Sequence, residues 1–236
     1  MSIKKEILNG PGYSIFKIEK MKVFAKLRNE IIKKLNLSLG CENNINSIRK
    51  KLTQMSNAEI NKSMINLLKF NDLSEMVIKS CPKTITALCG KELFIQRRAH
   101  VVVKVPGKKQ LKTLPHYEMM SGISPHSFVM WFPLHDLEKN DGGIYYVNQK
   151  DSLSLMKNEE EKEGLVNGPK ILNMRIKKKS ITMSFGEAIL FNPFVLHGNN
   201  NFNSNLARIA VNVRFQSFKK PLLQKNSDYL TYYKLN

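Results

Sequence analysis

The chain has 236 residues, enough for one domain or one domain with a helical annex, and its apolar share of 42% suits a globular protein. No apolar run approaches a membrane span, and no apolar signal-peptide core follows Met1–Glu6, so neither a spanning protein nor a secreted precursor is expected. The formal charge of +19 comes mainly from lysines scattered end to end, which reads as a solvated surface rather than a specific nucleic-acid footprint.

Cys41, Cys81 and Cys89 show neither CxxC spacing nor an even count, which fits a reduced, cytoplasmic setting. A milder reading of the charge is an anionic small-molecule substrate, such as a phosphorylated or nucleotide-linked compound. Nothing in the sequence sets an oligomeric state.

Residues 13–38 read as a helix, because Phe24, Leu27, Ile31 and Leu35 recur at three- and four-residue steps and Leu39-Gly40 marks an end. Ile45 to Leu52 predicts a second helix. Ser56-Asn57-Ala58-Glu59 is a capping box that opens a third, with Ile60, Met64, Leu67 and Leu68 as its buried stripe. Asp72-Leu73-Ser74-Glu75 starts another, which Cys81-Pro82 should end.

The pattern changes at Lys91. Leu93 to Val105 is rich in β-branched and apolar residues and stops at Pro106-Gly107. Phe128–Leu134, Gly143–Val147, Ile181–Met183, Ala188–Phe191 and Ala207–Phe218 also read as strands. Turn residues separate them: Asn140-Asp141-Gly142-Gly143, Asn167-Gly168-Pro169 and Phe185-Gly186-Glu187. The polar stretch 151–169 reads as a mobile insertion or a short exposed helix. Helices first and short strands after predict helices packed on a β-sandwich or barrel. The expected organisation is a helical region 1–90, a β core 91–220 and a C-terminal extension 221–236, together forming one structural domain.

Two stretches carry chemistry. In Leu114-Pro115-His116-Tyr117-Glu118 a His and a carboxylate stand two apart, so an extended strand would point both to one face. The second stretch runs from Gly186-Glu187 through Leu196-His197-Gly198 to Arg208. His116, Glu118 and His197 stand in the order of the 2-His-1-carboxylate facial triad, which leaves iron positions open for a co-substrate and dioxygen. An antiparallel barrel can bring such distant strands together.

Arg208 follows His197 by eleven residues, and the apolar Ile209-Ala210-Val211 places it on a buried strand. A guanidinium there suits a small dicarboxylate. Arg98 and His100 would share one strand face and Arg97 the other. Arg98 or His100 can touch an anionic co-substrate or substrate, and exposed barrel-edge charges are an equal account. Arg214 shares the strand face of Arg208 by parity and could extend the anion site toward a substrate. His126 and His135 read as loop and strand histidines, and Trp131 as core.

The block Trp131-Phe132-Pro133-Leu134-His135-Asp136, then Gly142-Gly143, Gly186-Glu187, Phe191, His197-Gly198, Asn203 and Arg208, resembles the phytanoyl-CoA dioxygenase-like family over roughly residues 90–218. The stretch from Leu114-Pro115-His116 through Ser121-Gly122-Ile123-Ser124-Pro125 is most similar to members from surface-polysaccharide and sugar-modification pathways. The resemblance implies an iron(II)- and 2-oxoglutarate-dependent oxygenase on a double-stranded β-helix, a jelly-roll barrel. Its metal ligands would be His116, Glu118 and His197, and Arg208 would hold the far carboxylate of 2-oxoglutarate. Glu118 stands where the family has Asp. The implied reaction is hydroxylation of a small metabolite with release of succinate and CO2, and a halogenase is not expected while a carboxylate fills the ligand position. Two rivals stand beside it: a non-catalytic jelly-roll binding protein with a degraded metal site, and a basic nucleic-acid-associated protein.

Overall fold

The computed structural model describes residues 2–67, 72–106, 115–121, 123–138, 141–160, 178–200, 202, 204–223 and 230–235. Leu114, Asn140, Asn203 and the Asn167-Gly168-Pro169 turn lie outside them, as do the side chains of Met64, Leu67 and Leu68.

In chain order the elements are α1 (Ile3–Asn9), β1 (Tyr13–Lys17), α2 (Met21–Leu39), α3 (Ile45–Gln54), α4 (Asn57–Leu67), α5 (Asp72–Ser80), α6 (Pro82–Cys89), β2 (Glu92–Gln96), β3 (His100–Lys104), a 3-10 turn (Glu118–Ser121), β4 (Phe128–Pro133), β5 (Ile144–Tyr146), α7 (Gln149–Glu160), β6 (Lys179–Ser180), β7 (Glu187–Phe191), β8 (His197–Asn199), β9 (Arg208–Ser217) and β10 (Leu230–Lys234).

Local chemistry accounts for the helix ends. Gly40 closes α2 at φ 61°, a left-handed conformation that favours glycine. The capping box forms: Ser56 Oγ accepts from Glu59 N–H, and the Glu59 carboxylate accepts from Ser56 N–H. Pro82 does not merely end α5. It takes the first turn of α6, where its missing N–H costs nothing, and the Glu19 carboxylate accepts from the Lys83 and Thr84 N–H groups beside it.

One sheet runs β1-β7-β4-β9-β2-β10, with β3 also on β9, and a smaller one runs β6-β5-β8. Alternation on the large sheet separates two faces. Phe128, Met130 and Phe132 of β4, with Ile209, Val211, Val213 and Phe215 of β9, join the core shared with the helices. There Phe24 of α2 meets Phe132 edge-on at 4.9 Å. Val129, Trp131 and Ala210 face the other way, toward Ile144 and Tyr146 of the small sheet. The even residues of β9, Arg208 through Arg214, therefore lie between the sheets.

Several expectations are corrected. Residues 13–38 are not one helix, since Tyr13–Lys17 pair antiparallel with Glu187–Phe191 at the sheet edge. The strand expected at Ile181–Met183 begins earlier, as Lys179–Ser180, and Met183 makes only an isolated bridge to Leu137. Within the expected C-terminal extension, Leu230–Lys234 pairs with β2.

Leu93–Val105 is not one unbroken strand. Ile95 faces Phe215 and His100 faces Asn212, so residues 96–99 bulge opposite 213–214. The bulge turns Arg97 and Arg98 out to solvent, so Arg98 does not share a strand face with His100. Inside it, Gln96 replaces the missing ladder: its Oε1 accepts from Arg214 N–H at 3.0 Å.

His135 is a structural histidine. Its ring accepts from Ile209 N–H at 3.3 Å through Nε2, while Nδ1 lies 2.7 Å from the Asp136 carbonyl and donates to it. That pattern needs a neutral ring. Burial, reinforced by the Arg49 charge, pulls its pKa down to about 4. An unfolded His titrates near 6.5. Between these values the unfolded chain binds a proton that the folded one refuses, so stability falls as the pH drops through this window. We expect His135 to contribute roughly 1–3 kcal/mol of that loss. His100, also lowered to about 4 by burial and then the Arg214 charge, acts in the same direction. Urea midpoints from pH 7.5 to 4.5 should fall less steeply in His135→Gln than in the parent, and an identical slope would remove His135 from the account.

Candidate metal centre

His116 and His197 are brought together by backbone, although their positions are far apart in the chain. They form an isolated antiparallel bridge: His116 N–H donates to His197 O at 2.9 Å, and His197 N–H returns to His116 O at 3.1 Å. Their rings stand 4.3 Å apart. The chain does not then continue as a strand, because Glu118 opens the 3-10 turn. Strand parity is thus not what aims Glu118 at the histidines. The turn does so, while Tyr117 points away into its own small core and donates to Ser152 O at 2.7 Å.

Helix α7 supports this arrangement from behind. Ser152 Oγ donates to Val147 O and accepts from Leu196 N–H, so the helix is tied to the residues before His197. Of the stretch expected as a mobile insertion or a short exposed helix, the part up to Glu160 is helix, exposed at Leu153, Ser154 and Lys157 and packed through Ser152; residues 161–169 lie outside the described part.

Glu118 Oε1 is 3.5 Å from His197 Nε2 and 4.0 Å from His116 Nε2, and one donor atom from each residue lies within 4.8 Å of the others. His197 Nδ1 lies 3.0 Å from Val195 O, which can only accept. A proton is therefore on Nδ1, and Nε2, which faces Glu118, is the nitrogen that would exchange its own proton for a metal. Burial would raise the Glu118 carboxyl, but the hydrogen bond from His197 and the Arg214 charge hold it at about 2. Two imidazole nitrogens and an ionised carboxylate are a donor set that fits a divalent transition metal.

Arg208 is 1% exposed. One guanidinium nitrogen, Nη1, donates to Gly142 O at 2.6 Å and to Asn199 Oδ1 at 3.0 Å, and the cation sits 5.5 Å from the Trp131 ring centre. Gly142 is held at φ 61°, with Phe202 where a Cβ would stand, so the carbonyl that receives Arg208 depends on glycine. Arg208 Nε has no partner among the described residues, and none of their carboxylates forms an ion pair with it. Burial pulls its pKa down to about 10, opposed by the Asp141 carboxylate. A buried, incompletely satisfied cation is costly unless an anion completes it.

Arg214 is on the same β9 face, as parity requires, but its guanidinium is spent on Glu118 rather than open space. His100 stands behind it, 3.2 Å from Arg214 Nη1. Arg98 is exposed on the bulge and does not join the cluster. His126 stays outside the triad, and Trp131 is core between the sheets.

Sequence reasoning missed Tyr146 and Asn199. Tyr146 pairs across the small sheet with His197 and stacks on it at 5.7 Å. Its buried hydroxyl has no partner among the described residues. Asn199 is two residues beyond His197, and alternation along β8 would have placed it on the same face.

No protein-family model matches the chain, and no curated protein does. Solved structures do. A nickel complex of the non-heme monooxygenase ThoJ superposes with a TM-score of 0.62 at 10% identity, covering 100% of this chain and 84% of that one. The non-heme alpha-ketoglutarate-dependent carbocyclase SnoK, from nogalamycin biosynthesis, gives 0.61 at 15% identity over 97% and 89%. HygX from Streptomyces hygroscopicus, with nickel and 2-oxoglutarate bound, gives 0.56 at 10% identity over 97% and 93%. At such identities the likeness is one of fold: over nearly its whole length, the chain has the fold of these non-heme enzymes.

Proposed function

We propose that the chain is an iron(II)- and 2-oxoglutarate-dependent oxygenase of the phytanoyl-CoA dioxygenase-like kind, its two sheets forming a double-stranded β-helix. The observation that carries this reading is the pairing of two features between the sheets: a His116–Glu118–His197 donor cluster and a buried Arg208 that has no ion-pair partner among the described residues. A metal alone would explain the first and leave the second costly. A dianionic co-substrate explains both.

In this reading His116, Glu118 and His197 hold iron(II). Arg208 receives the far carboxylate of 2-oxoglutarate through its unsatisfied edge, and Gly142 and Asn199 hold the guanidinium still. The aromatic wall of Trp131, Tyr146 and Phe191 excludes water from the pair and strengthens it. Bound iron supplies the redox chemistry that couples oxidation of 2-oxoglutarate to succinate and CO2 with hydroxylation of a substrate. The substrate is a small anionic or sugar-linked metabolite, in keeping with Lys104, which stands opposite Arg208 in register and donates to Asn200 O at 2.9 Å.

A non-catalytic jelly-roll protein would not need Glu118 to be ionised and aimed at both histidines. A nucleic-acid role has only net charge behind it, and scattered lysines should give weak, salt-labile binding. The test is succinate release from 2-oxoglutarate by the protein supplied with iron(II) and air, without added substrate. Release that depends on both iron and protein is expected. None above the protein-free control, from protein shown to bind iron, would leave the non-catalytic reading.

A further inference from the structure

Arg214 closes on Glu118 in a particular way. Its Nε and Nη2 both donate to the same carboxylate oxygen, Oε2, at 2.9 and 2.7 Å. The other oxygen, Oε1, is the one that faces the two histidines. The carboxylate is thus divided, with one oxygen taken by a cation and one presented to the triad.

The guanidinium is itself held. Nη1 lies 3.2 Å from His100 Nδ1, and since a guanidinium can only donate, that imidazole nitrogen accepts. The Arg214 backbone N–H is fixed by Gln96 Oε1 inside the bulge between β2 and β3. The pair is buried, with the Arg214 side chain 10% and the Glu118 side chain 4% exposed. The β-bulge, His100 and Arg214 therefore form a chain of contacts that ends on a single oxygen of Glu118.

Resting on the reading above, we propose that Arg214 is a positioning residue that commits Glu118 to donating one oxygen to the metal and thereby keeps a coordination position open for 2-oxoglutarate. A glutamate has the reach and freedom to chelate with both oxygens, and doing so would fill one of the positions that the co-substrate needs. Arg214 blocks this in two ways. Its two N–H groups occupy the lone pairs of Oε2, and its charge makes that oxygen a poor second donor. This also gives Glu118 a reason to be longer than aspartate, because the carboxylate must span from the histidines to β9.

The test uses cobalt(II), whose visible absorption reports coordination number, with the full chain as parent, Arg214→Gln and Arg214→Lys. Calorimetry then measures 2-oxoglutarate binding to each cobalt-loaded protein without turnover. For Arg214→Gln we expect cobalt affinity reduced about tenfold, the low end of what loss of a ligand's partner costs, an altered cobalt spectrum before 2-oxoglutarate is added, and 2-oxoglutarate affinity reduced about tenfold or more. Arg214→Lys, which keeps the charge but not the two-point fork, should fall between.

A parental spectrum and parental 2-oxoglutarate affinity in Arg214→Gln would overturn the proposal. So would loss of cobalt binding in a variant that melts like the parent, since Arg214 would then hold the ligand in place rather than set how it donates. If Arg214→Gln does not fold, Arg214→Lys decides by the same two readouts. A parent chain that binds neither cobalt nor 2-oxoglutarate would defeat the oxygenase reading itself. That result is distinct from one in which the parent binds both and the variants behave like it.

Discussion

His197→Ala is expected to abolish tight metal binding and, with it, 2-oxoglutarate-dependent turnover. His197 is the triad member whose donor nitrogen the fold defines most completely. Val195 O takes its Nδ1–H, and its ring lies 4.7 Å from Phe191 and 5.7 Å from Tyr146. Partners one shell outside a metal already cost about 10–100-fold in affinity when removed, so loss of one of three protein ligands should cost more than about 100-fold. The backbone bridge to His116 does not use the imidazole, so the two strand ends should remain paired. Metal content after desalting reads the effect, with a thermal melt as control. A folded variant that retains the parent's iron affinity and succinate formation would remove His197 from the centre.

The second large effect is expected at Arg208. Its replacement by Ala should raise the 2-oxoglutarate concentration needed for half-maximal succinate release. A charge-assisted pair of about 1.5–3 kcal/mol corresponds to roughly tenfold to more than a hundredfold in affinity. Arg208→Ala also leaves Gly142 O without this donor and opens space against Trp131, so some loss of stability should accompany it. Arg208→Lys separates the two effects. It refills much of the space and keeps the charge, yet offers no planar fork, so its 2-oxoglutarate requirement should still rise. An unchanged requirement in both variants would move the carboxylate to another cation. Lys104 is then the next candidate, since Arg98 is exposed and Arg214 is committed to Glu118.

Much of this arrangement is legible in the sequence, and the illegible parts share a cause. The α2 stripe and the Ser56–Glu59 capping box are local patterns, and both form as read. The apolar run after Arg208 places that residue on a buried strand, and period-two alternation puts Arg214 on its face. The meeting of His116, Glu118 and His197 follows from residue types and order. The route to it does not, because a turn rather than strand parity aims Glu118.

Misread elements are those whose state is set by distant partners. Tyr13, Ile15 and Phe16 favour a strand locally, but five residues are too few to declare one beside the long α2 pattern, and β7 offers the edge that fixes it. Leu230–Lys234 is fixed in the same way on β2. The bulge at 96–99 interrupts a run of strand formers with no glycine or proline to announce it. The partner of Arg214 was equally hidden: parity shows which face a side chain takes, not which group it meets there.

One pocket is expected to bind a metal through the triad and 2-oxoglutarate through that metal and Arg208. Anaerobic calorimetry of 2-oxoglutarate, with and without one equivalent of iron(II), tests it most directly. One molecule should bind per chain, tightly only when iron is present and weakly in Arg208→Ala. Equal binding with and without iron, or no binding to the iron-loaded chain, would contradict it.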